Sequence, residues 1–350
     1  MRTPRTVLHL VGSPVDDFHA ELSRLYARGC LDALQDPDRY DMHLAYVEPG
    51  GKWRFPADLS TTALSSAMPM TLPEAIAHID RMSVDVVVPQ MFCRPGVTVY
   101  RSLFDALGIP YLGNTGEVMG IAADKAKTRA IVAAAGVAVP AARVVRDRRL
   151  IDIPFPVVVK PVAADNSVGV ALVDNAADYV RAVDAALAHD GAALVESYVE
   201  LGREVRCGIV VRHGQLDCLP LEEYAVDPVT KPIRDSADKL SRTADGDLFL
   251  VAKDTAHAWL VPQDDPITER VWAAARSAHQ ALGCRHYSLF DFRIDAAGNP
   301  WFLEAGPYCS FAPGSVIAVM AAGTGVDVGE LFAGALTELD RGRPACAAKR

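Results

Sequence analysis

The chain has 350 residues, half of them hydrophobic and 23% charged, a globular composition in a chain longer than the usual single core. Its net charge of −9 argues against nucleic acid as the main partner, because a phosphate backbone selects basic surfaces. The seven cysteines form no CxxC pair, and no apolar run approaches the about 18 residues of a membrane span. We therefore expect a soluble, cytoplasmic protein of two or three domains with reduced thiols.

The first third of the chain alternates between short buried strands and helices. Strands are predicted at 6–11, 41–47, 85–89 and 109–113, and helices from residue 17, over 72–82 and around 100–107. This alternation predicts an open parallel sheet over residues 1 to 115. No GxGxxG follows the first strand, so a dinucleotide-binding site is not expected.

The remaining elements form a second, less regular series. Helices are predicted at 124–135, 174–188, 265–282 and near 328–339, and strands at 157–160, 193–199 and 204–211, with a further strand after the loop ADNSVGV. The charged segment 221–255 carries Pro228 and Pro232 and is interpreted as long loops that form a mobile lid.

A predicted hairpin near the C-terminal end carries two acidic residues. If 296–299 form its loop, the antiparallel register sets Ile294 against Trp301 and Asp291 against Glu304. The same register predicts one apolar face, made of Phe290, Phe292, Ile294, Trp301 and Leu303. Like charges at neighbouring positions are destabilising unless a cation lies between them, so the pair indicates a divalent metal site. The alternative is a solvated acidic surface.

Several other charged residues are ambiguous when each is considered alone. Lys160 ends a strand before a glycine-containing loop and could bind phosphate, but strand-terminal lysines are usually solvated. Glu196 and Glu204 could accept hydrogen bonds from an amino group and from ribose hydroxyls, or they could form salt bridges with Arg203 and Arg206. Cysteine and histidine spacing predicts no zinc site.

The order of the motifs is more specific than any one of them. ADKAK, VVVKP, ESYV, GREV, LFDFRID and FLEAG follow one another in a way that resembles the ATP-grasp superfamily, in its D-alanine:D-alanine ligase branch, over residues 5 to 338. The resemblance implies an α/β fold in which an N-terminal open parallel-sheet domain precedes two ATP-grasp subdomains that clamp ATP. It implies domains at 1–117, 118–200 and 201–340, a disordered tail at 341–350, and a cytoplasmic homodimer.

The resemblance also implies roles for individual residues. ATP would be held by Lys125 and Lys160 at the phosphates, by Glu196, Tyr198 and Val199 at the adenine, by Glu204 at the ribose, and by Lys239 of the mobile loop at the γ-phosphate. Asp291 and Glu304 would bind Mg²⁺. The substrate pocket would include Asp16 or Asp17, Tyr308, Ser310 and Ser315, and the catalytic groups would be Lys239, Ser167 and Arg293.

Four departures from the family pattern concern the amino-acid pocket. Gly306 stands in place of the asparagine that supplies a third metal ligand, and Leu289 in place of the arginine that steadies an oxyanion. Asn166-Ser167 replaces a Ser-Ser pair, and the histidine expected near Gln90 is missing. The resemblance therefore implies a retained ATP site beside a rebuilt substrate pocket, in which Arg293 could replace the missing arginine.

A closer resemblance covers the whole chain. HLVGSPVDDFHAELSRLYARGCL, WRFPADLS, PQMFCRPG, LGREVRCGI and FLEAGPYCSFAPGSVI are similar to the mycosporine-glycine amino-acid ligases. This resemblance implies that ATP phosphorylates the ring carbonyl oxygen of mycosporine-glycine, and that serine, threonine or glycine then displaces phosphate to give an imine. The alternatives are a D-alanine:D-alanine-type ligase that forms an acyl phosphate, and a non-catalytic ATP-binding regulatory module.

Overall fold

The computed structural model describes residues 3–164, 167–227, 229–234, 240–242, 248–250 and 257–342. The strands in these ranges are β1 (Arg5–Gly12), β2 (Tyr40–Val47), β3 (Trp53–Arg54), β4 (Val86–Pro89), β5 (Ala142–Val145), β6 (Val157–Pro161), β7 (Ala171–Val173), β8 (Ala193–Ser197), β9 (Arg203–Arg212), β10 (Gln215–Cys218), β11 (Glu222–Tyr224), β12 (Leu240–Arg242), β13 (Leu248–Leu250), β14 (Ala258–Leu260), β15 (Tyr287–Ile294) and β16 (Pro300–Ala305). The helices are α1 (Asp17–Ala33), α2 (Thr61–Ser66), α3 (Leu72–Met82), α4 (Arg94–Val97), α5 (Val99–Leu107), α6 (Gly116–Ala122), α7 (Lys125–Ala134), α8 (Ala176–Asp190), α9 (Thr268–Ala281), α10 (Val316–Ala322) and α11 (Val328–Arg341).

The N-terminal sheet has the order β3-β2-β1-β4. β1 pairs in parallel with both β2 and β4, which confirms the predicted parallel sheet, and β3 adds an antiparallel edge. The predicted strand at 109–113 is wrong, since only Tyr111 forms an isolated bridge with Val87. Pro110 lacks an N–H donor and Gly113 turns the chain at a φ of +87°, which prevents a longer pairing.

Two antiparallel sheets make up most of the remaining fold. The middle sheet has the order β5-β8-β6-β7, and α8 packs on it through a separate core of residues 145–195. The central sheet has the order β14-β11-β9-β15-β16, with β10 paired to β9. Part of the segment predicted as long loops forms β11 of this sheet and the β12-β13 ribbon, so the loop prediction is wrong there.

The predicted acidic hairpin is present, with one correction to its register. Asp291 lies opposite Glu304 as expected, but a β-bulge between Asp291 and Phe292 shifts the following pairs by one residue. Trp301 therefore faces Arg293 instead of Ile294. The predicted apolar face is wrong for Trp301 and Leu303, because Phe302 takes the buried position beside Phe290, Phe292 and Ile294.

One apolar core packs α7 against the central sheet. Ala122, Val132 and Val137, from the α6–α7 region, pack against residues of the central sheet and α9. The apolar contacts of α7 thus cross the boundary predicted at residue 200, and the division into 1–117, 118–200 and 201–340 stays a prediction. In the described residues, no helix is long and apolar enough to cross a membrane. The tail predicted at 341–350 begins too early, because α11 extends to Arg341, and its residues from 343 onward lie outside the described ones.

Candidate active site

Two adjoining cavities lie on the exposed side of the central sheet. The smaller one lies between the middle and central sheets, and its wall includes Lys125, Lys160, Glu196 and Glu204. The larger one lies between α1, the central sheet and the segment that follows β16. Three residues line both cavities: Arg234, Asp291 and Glu304.

Lys160 and Glu196 form a buried ion pair in the smaller cavity. Lys160 is the penultimate residue of β6, Glu196 lies on the neighbouring strand β8, and Lys160 Nζ is 2.6 Å from Glu196 Oε2. Arg129 Nε lies 3.5 Å from the other carboxylate oxygen. The sequence left open whether Glu196 accepts hydrogen bonds from a ligand or forms a salt bridge, and in the structure it forms a salt bridge. Its place in an adenine hinge with Tyr198 and Val199 stays a prediction.

Lys125 brings a second ammonium group to the same cavity. It is the first residue of α7, behind Asp124, whose side chain caps the helix by accepting the Lys127 N–H. Its Nζ donates to the carbonyl of Ala164, in the loop after β6, and lies 3.3 Å from Glu304 Oε1. The lysine thus links the middle sheet to the acidic hairpin, and its role at the phosphates, like that of Lys160, stays a prediction.

Glu204 is a buried carboxylate on β9 that lines the smaller cavity. Burial raises its pKa above the ordinary value, and the guanidinium groups of Arg234 and Arg293, each 3.9 Å away, oppose that rise. Arg203 is not its partner, because Arg203 pairs with Glu223 and Asp265. Asp265, which pairs with Arg203, lies in the turn before α9. This helix begins at Thr268 and not at 265 as predicted.

The two metal-binding candidates each have a cation beside them. Arg206 donates to both oxygens of Asp291, at 2.6 and 3.1 Å, and Glu304 lies next to Lys125. Carboxylate oxygens are the ligands that Mg²⁺ prefers, and Mg²⁺ usually keeps waters and takes only one or two carboxylates together with phosphate oxygens. Asp291 and Glu304 fit that requirement, and a bound Mg²⁺ would neutralise phosphate charge there.

Two of the predicted catalytic residues line the smaller cavity. Arg293 is buried, donates to the Pro232 carbonyl and stacks 4.9 Å above the Tyr198 ring. Ser167 lies in the loop after β6 with a φ of +58°. Arg293 thus lies on the side of the lysines, away from Leu289 in the larger cavity, so a role as the replacement for the missing arginine is not favoured. Lys239 lies outside the described residues.

The larger cavity has an apolar and aromatic wall. Leu22 and Tyr26 come from α1, and their neighbours include Phe92 and Tyr308. The ring centroids of Tyr26 and Phe92 are 5.0 Å apart, and those of Phe92 and Tyr308 are 5.7 Å apart. This continuous aromatic surface was not predicted, because its rings come from three distant segments.

The predicted substrate residues have different positions. Tyr308, Ser310 and Ser315 line the larger cavity, and Ser315 immediately precedes α10. Asp16 caps α1 and accepts hydrogen bonds from the backbone and ring of His19, which itself lines the cavity. Asp17 is exposed in the first turn of α1. The substrate roles of Asp16 and Asp17 stay predictions.

Sequence reasoning missed the cations of the larger cavity, Arg206 and Arg234. Arg206 follows Glu204 by two residues on β9, so strand alternation alone places both side chains on one face. That spacing could have identified Arg206. Arg234 lies outside the strands and comes over the Tyr224 ring at 3.4 Å, a position that no sequence pattern indicates.

Comparisons with known proteins agree with this geometry. The family model "D-ala D-ala ligase C-terminus" matches residues 142–337. The chain is 31% identical to a D-alanine–D-alanine ligase of Anaeromyxobacter sp. over 74% of this chain and 80% of that protein. It is 30% identical to a D-alanine–D-alanine ligase of Chlorobium luteolum over 87% of this chain and 90% of that protein.

Solved structures show the same fold. The VanG D-Ala:D-Ser ligase from Enterococcus faecalis superposes with a TM-score of 0.77 at 19% identity, covering 96% of this chain and 99% of its own. The D-alanine–D-alanine ligase from Bacillus anthracis complexed with ATP gives a TM-score of 0.69 at 18% identity, covering 96% and 98%. The family match and the sequence relatives identify the chain as an ATP-grasp enzyme, an ATP-dependent carbon–nitrogen ligase. The chain belongs to the D-alanine–D-alanine ligase family.

Proposed function

We propose that this protein is an amino-acid ligase of the D-alanine:D-alanine type, which joins two small amino acids through an acyl phosphate. The observation that supports the proposal is the meeting of the two cavities at Asp291 and Glu304. A nucleotide in the smaller cavity and an amino acid in the larger one would come together at these carboxylates. D-Alanine ligases are also the relatives that cover most of the chain.

The proposed reaction has two steps. A carboxylate oxygen of the first amino acid attacks the γ-phosphorus, the bond to the β–γ bridging oxygen breaks, and ADP leaves with its electron pair. The amine of the second amino acid then attacks the acyl carbon and forms the C–N bond. The resulting oxyanion collapses with loss of inorganic phosphate, and the amine releases a proton to solvent. Positioning and charge neutralisation supply most of the catalysis in such phosphoryl transfers.

In this proposal the chain's own residues bind and orient the nucleotide. Lys125 and Lys160 neutralise phosphate oxygens, Glu204 accepts from the ribose, and Val199, which lines the cavity next to Tyr198 in the chain, borders the adenine. Asp291 and Glu304 hold Mg²⁺, and Lys239 approaches the γ-phosphate. We further propose that the protein acts as a cytoplasmic homodimer.

A second candidate reaction is favoured by the wall of the larger cavity. The aromatic surface of Tyr26, Phe92 and Tyr308 lies beside Leu289 and Gly306 and suits a flat ring better than a methyl side chain. In this candidate the ring carbonyl oxygen of mycosporine-glycine takes the γ-phosphoryl group and ADP leaves. The amine of serine, threonine or glycine then adds to the ring carbon, phosphate departs, and loss of a proton gives the imine.

One assay distinguishes the two candidates. The purified protein is incubated with ATP and Mg²⁺ together with D-alanine, with D-alanine plus D-serine, or with mycosporine-glycine plus serine, threonine or glycine, and ADP release is measured. ADP release with the D-amino acids supports the first proposal. Release only with mycosporine-glycine, accompanied by a red shift of its near-ultraviolet absorbance, overturns the first proposal and supports the second.

A further inference from the structure

The chemistry proposed for the larger cavity requires a cation near the reacting carbonyl. Negative charge grows on that oxygen when the amine adds, and a fixed donor at this position is typically a large contribution to catalysis. Among the described residues, the arginines that line the larger cavity are Arg206 and Arg234. Leu289, which lies on the same wall, is apolar and 5% exposed.

The two arginines differ in position. Arg234 is stacked 3.4 Å above the Tyr224 ring, lies 3.9 Å from Glu204 and lines both cavities, so it lies at their junction. Arg206 lines the larger cavity and comes from the interior of β9, where it pairs in register with Asp291 on one side and Glu222 on the other. A guanidinium on a central strand is held more rigidly than one outside the strands.

Arg206 also lies on the same face as Leu289. In the β9–β15 ladder, Asp291 faces Arg206 and Leu289 faces Gly208, so the side chains of Asp291 and Leu289 point to one side together with Arg206. A Cβ on Gly208 would approach the sulfur of Met320 to 2.8 Å, so β9 can carry no side chain opposite Leu289 without displacing that methionine. Arg206 is therefore the nearest position on β9 from which a cation can reach this part of the cavity.

Arg206 retains donors for a ligand. A guanidinium has five N–H groups, and the hydrogen bonds to Asp291 use two of them. Tyr26 lies close by as a neutral hydroxyl, because burial raises its pKa to about 12 against the influence of Arg206.

We propose that Arg206 is a catalytic residue that donates hydrogen bonds to the substrate carbonyl oxygen beside Asp291 and stabilises the oxyanion formed when the amine adds. This inference rests on the proposed function, since an oxyanion forms only when the amine attacks an acyl phosphate in the larger cavity. The rival role is structural, in which Arg206 only balances and positions Asp291.

The test compares Arg206→Gln and Arg206→Lys with Arg212→Gln, a control that removes a charge from the far end of the same strand, where Arg212 pairs with Asp217. ADP release gives kcat and the KM for each substrate, and calorimetry with Mg²⁺-ATP and titration with Mn²⁺ report on the nucleotide and metal sites. Loss of an oxyanion donor typically lowers kcat about 10²- to 10³-fold. We expect a loss of that size for Arg206→Gln, partial recovery for Arg206→Lys, and ATP and Mn²⁺ affinities within about threefold of wild type.

Arg206→Lys keeps a charge opposite Asp291 and covers the case in which Arg206→Gln folds poorly, and a fourth variant tests whether a guanidinium on the neighbouring strand can replace Arg206. Leu289→Arg in the Arg206→Gln background returns a guanidinium to the same wall from β15, and recovery of kcat supports the proposal.

Three outcomes overturn it. An Arg206→Gln enzyme with unchanged kcat and KM contradicts the inference alone, and so does a variant whose loss follows entirely from weaker Mn²⁺ binding, which assigns the positioning role. A wild-type enzyme that releases no ADP with any substrate pair contradicts the proposed function and the inference together.

Discussion

Arg206 and Asp291 lie opposite each other on neighbouring antiparallel strands, and two hydrogen bonds of 2.6 and 3.1 Å join the guanidinium to both oxygens of the carboxylate. The carboxylate predicted to bind metal therefore has an arginine on one side and Glu304 on the other. The repulsion between the carboxylates of Asp291 and Glu304 is offset by the cations beside them, Arg206 and Lys125. Four predictions follow from this cluster and its surroundings.

Replacing Glu304 by glutamine removes one charge from the proposed metal site while keeping the side-chain shape. We expect ADP release to fall at least 100-fold, and Mn²⁺ affinity to fall with it, because one of two anionic oxygen ligands is lost. Steady-state kinetics and Mn²⁺ titration are the measurements. Glu269→Gln, whose carboxylate is exposed on α9, is the matched control. Undiminished turnover in Glu304→Gln would show that the hairpin is not the metal site.

The ion pair between Lys160 and Glu196 makes a prediction about stability as well as nucleotide binding. Both side chains are less than one tenth exposed. Lys160→Met removes the 2.6 Å contact and leaves Glu196 the longer one with Arg129, at 3.5 Å, so we expect the free energy of unfolding to fall by about 2 kcal/mol. The KM for ATP should rise at least tenfold because a phosphate contact is lost.

The matched double variant separates these two effects. Lys160→Met/Glu196→Gln should regain part of the stability without regaining ATP affinity, since the buried carboxylate left by the single variant is removed while Arg129 loses its contact with it. Chemical denaturation and ATP titration test this. Equal ATP affinity in wild type and Lys160→Met would contradict the assignment of Lys160 to the phosphates.

Gly306 offers a gain-of-ligand experiment. Its backbone does not require glycine, and a Cβ there would contact the Tyr308 ring at 3.4 Å, an ordinary van der Waals distance. Gly306→Asn should therefore fold and should bring an amide oxygen toward the Asp291–Glu304 pair. We expect Mn²⁺ affinity to increase about three- to tenfold, roughly 0.6–1.4 kcal/mol. Gly334→Asn, at an open position on α11, is the control, and an unchanged affinity would mean that the new side chain points away from the pair.

A buried histidine predicts how stability changes with pH. His286 accepts a hydrogen bond from the Gly113 N–H at 2.9 Å, and burial, reinforced by Arg285 and Arg101, lowers its pKa from 6.5 to about 3. The unfolded chain binds this proton below pH 6.5 and the folded protein does not. The contribution of His286 to the free energy of unfolding is therefore fully present above pH 6.5. It declines as the pH falls toward 3, by about 1.4 kcal/mol per pH unit.

His286→Asn tests this dependence, since asparagine tolerates the positive φ of 59° at this position. Denaturant titrations at several pH values between 5 and 8 give the free energy of unfolding as a function of pH. At the acidic end, its slope in the variant should correspond to about one fewer proton taken up on unfolding than in wild type. His43→Gln, at a half-exposed position on β2, serves as the control for histidine removal. An identical slope in wild type and His286→Asn would contradict the assignment.

Much of the secondary structure was predictable because its signals are local. The helix Leu72–Met82 was predicted to the residue, since Thr71 and Glu74 form a capping box and Pro73 occupies the first turn. The bulge between Asp291 and Phe292 was not predictable, because it depends on how β15 fits both β9 and β16. The packing of α7 against the central sheet depends likewise on contacts between segments that are distant along the chain.

The acidic hairpin has some features that follow from the sequence and others that depend on the tertiary structure. The sequence alone placed Asp291 beside Glu304, although the pairs nearer the turn are shifted by one residue, because the bulge between Asp291 and Phe292 restores the register that counting back from a four-residue loop gives. It also indicated that Leu289 and Gly306 lie next to that pair, and the Gly306 N–H does donate to the Leu289 carbonyl at 2.8 Å. Only the tertiary structure gave Asp291 its partner Arg206 and Lys160 its partner Glu196. Ion pairs of this kind depend on which strands become neighbours, and strand order results from packing over the whole chain, which local patterns do not encode.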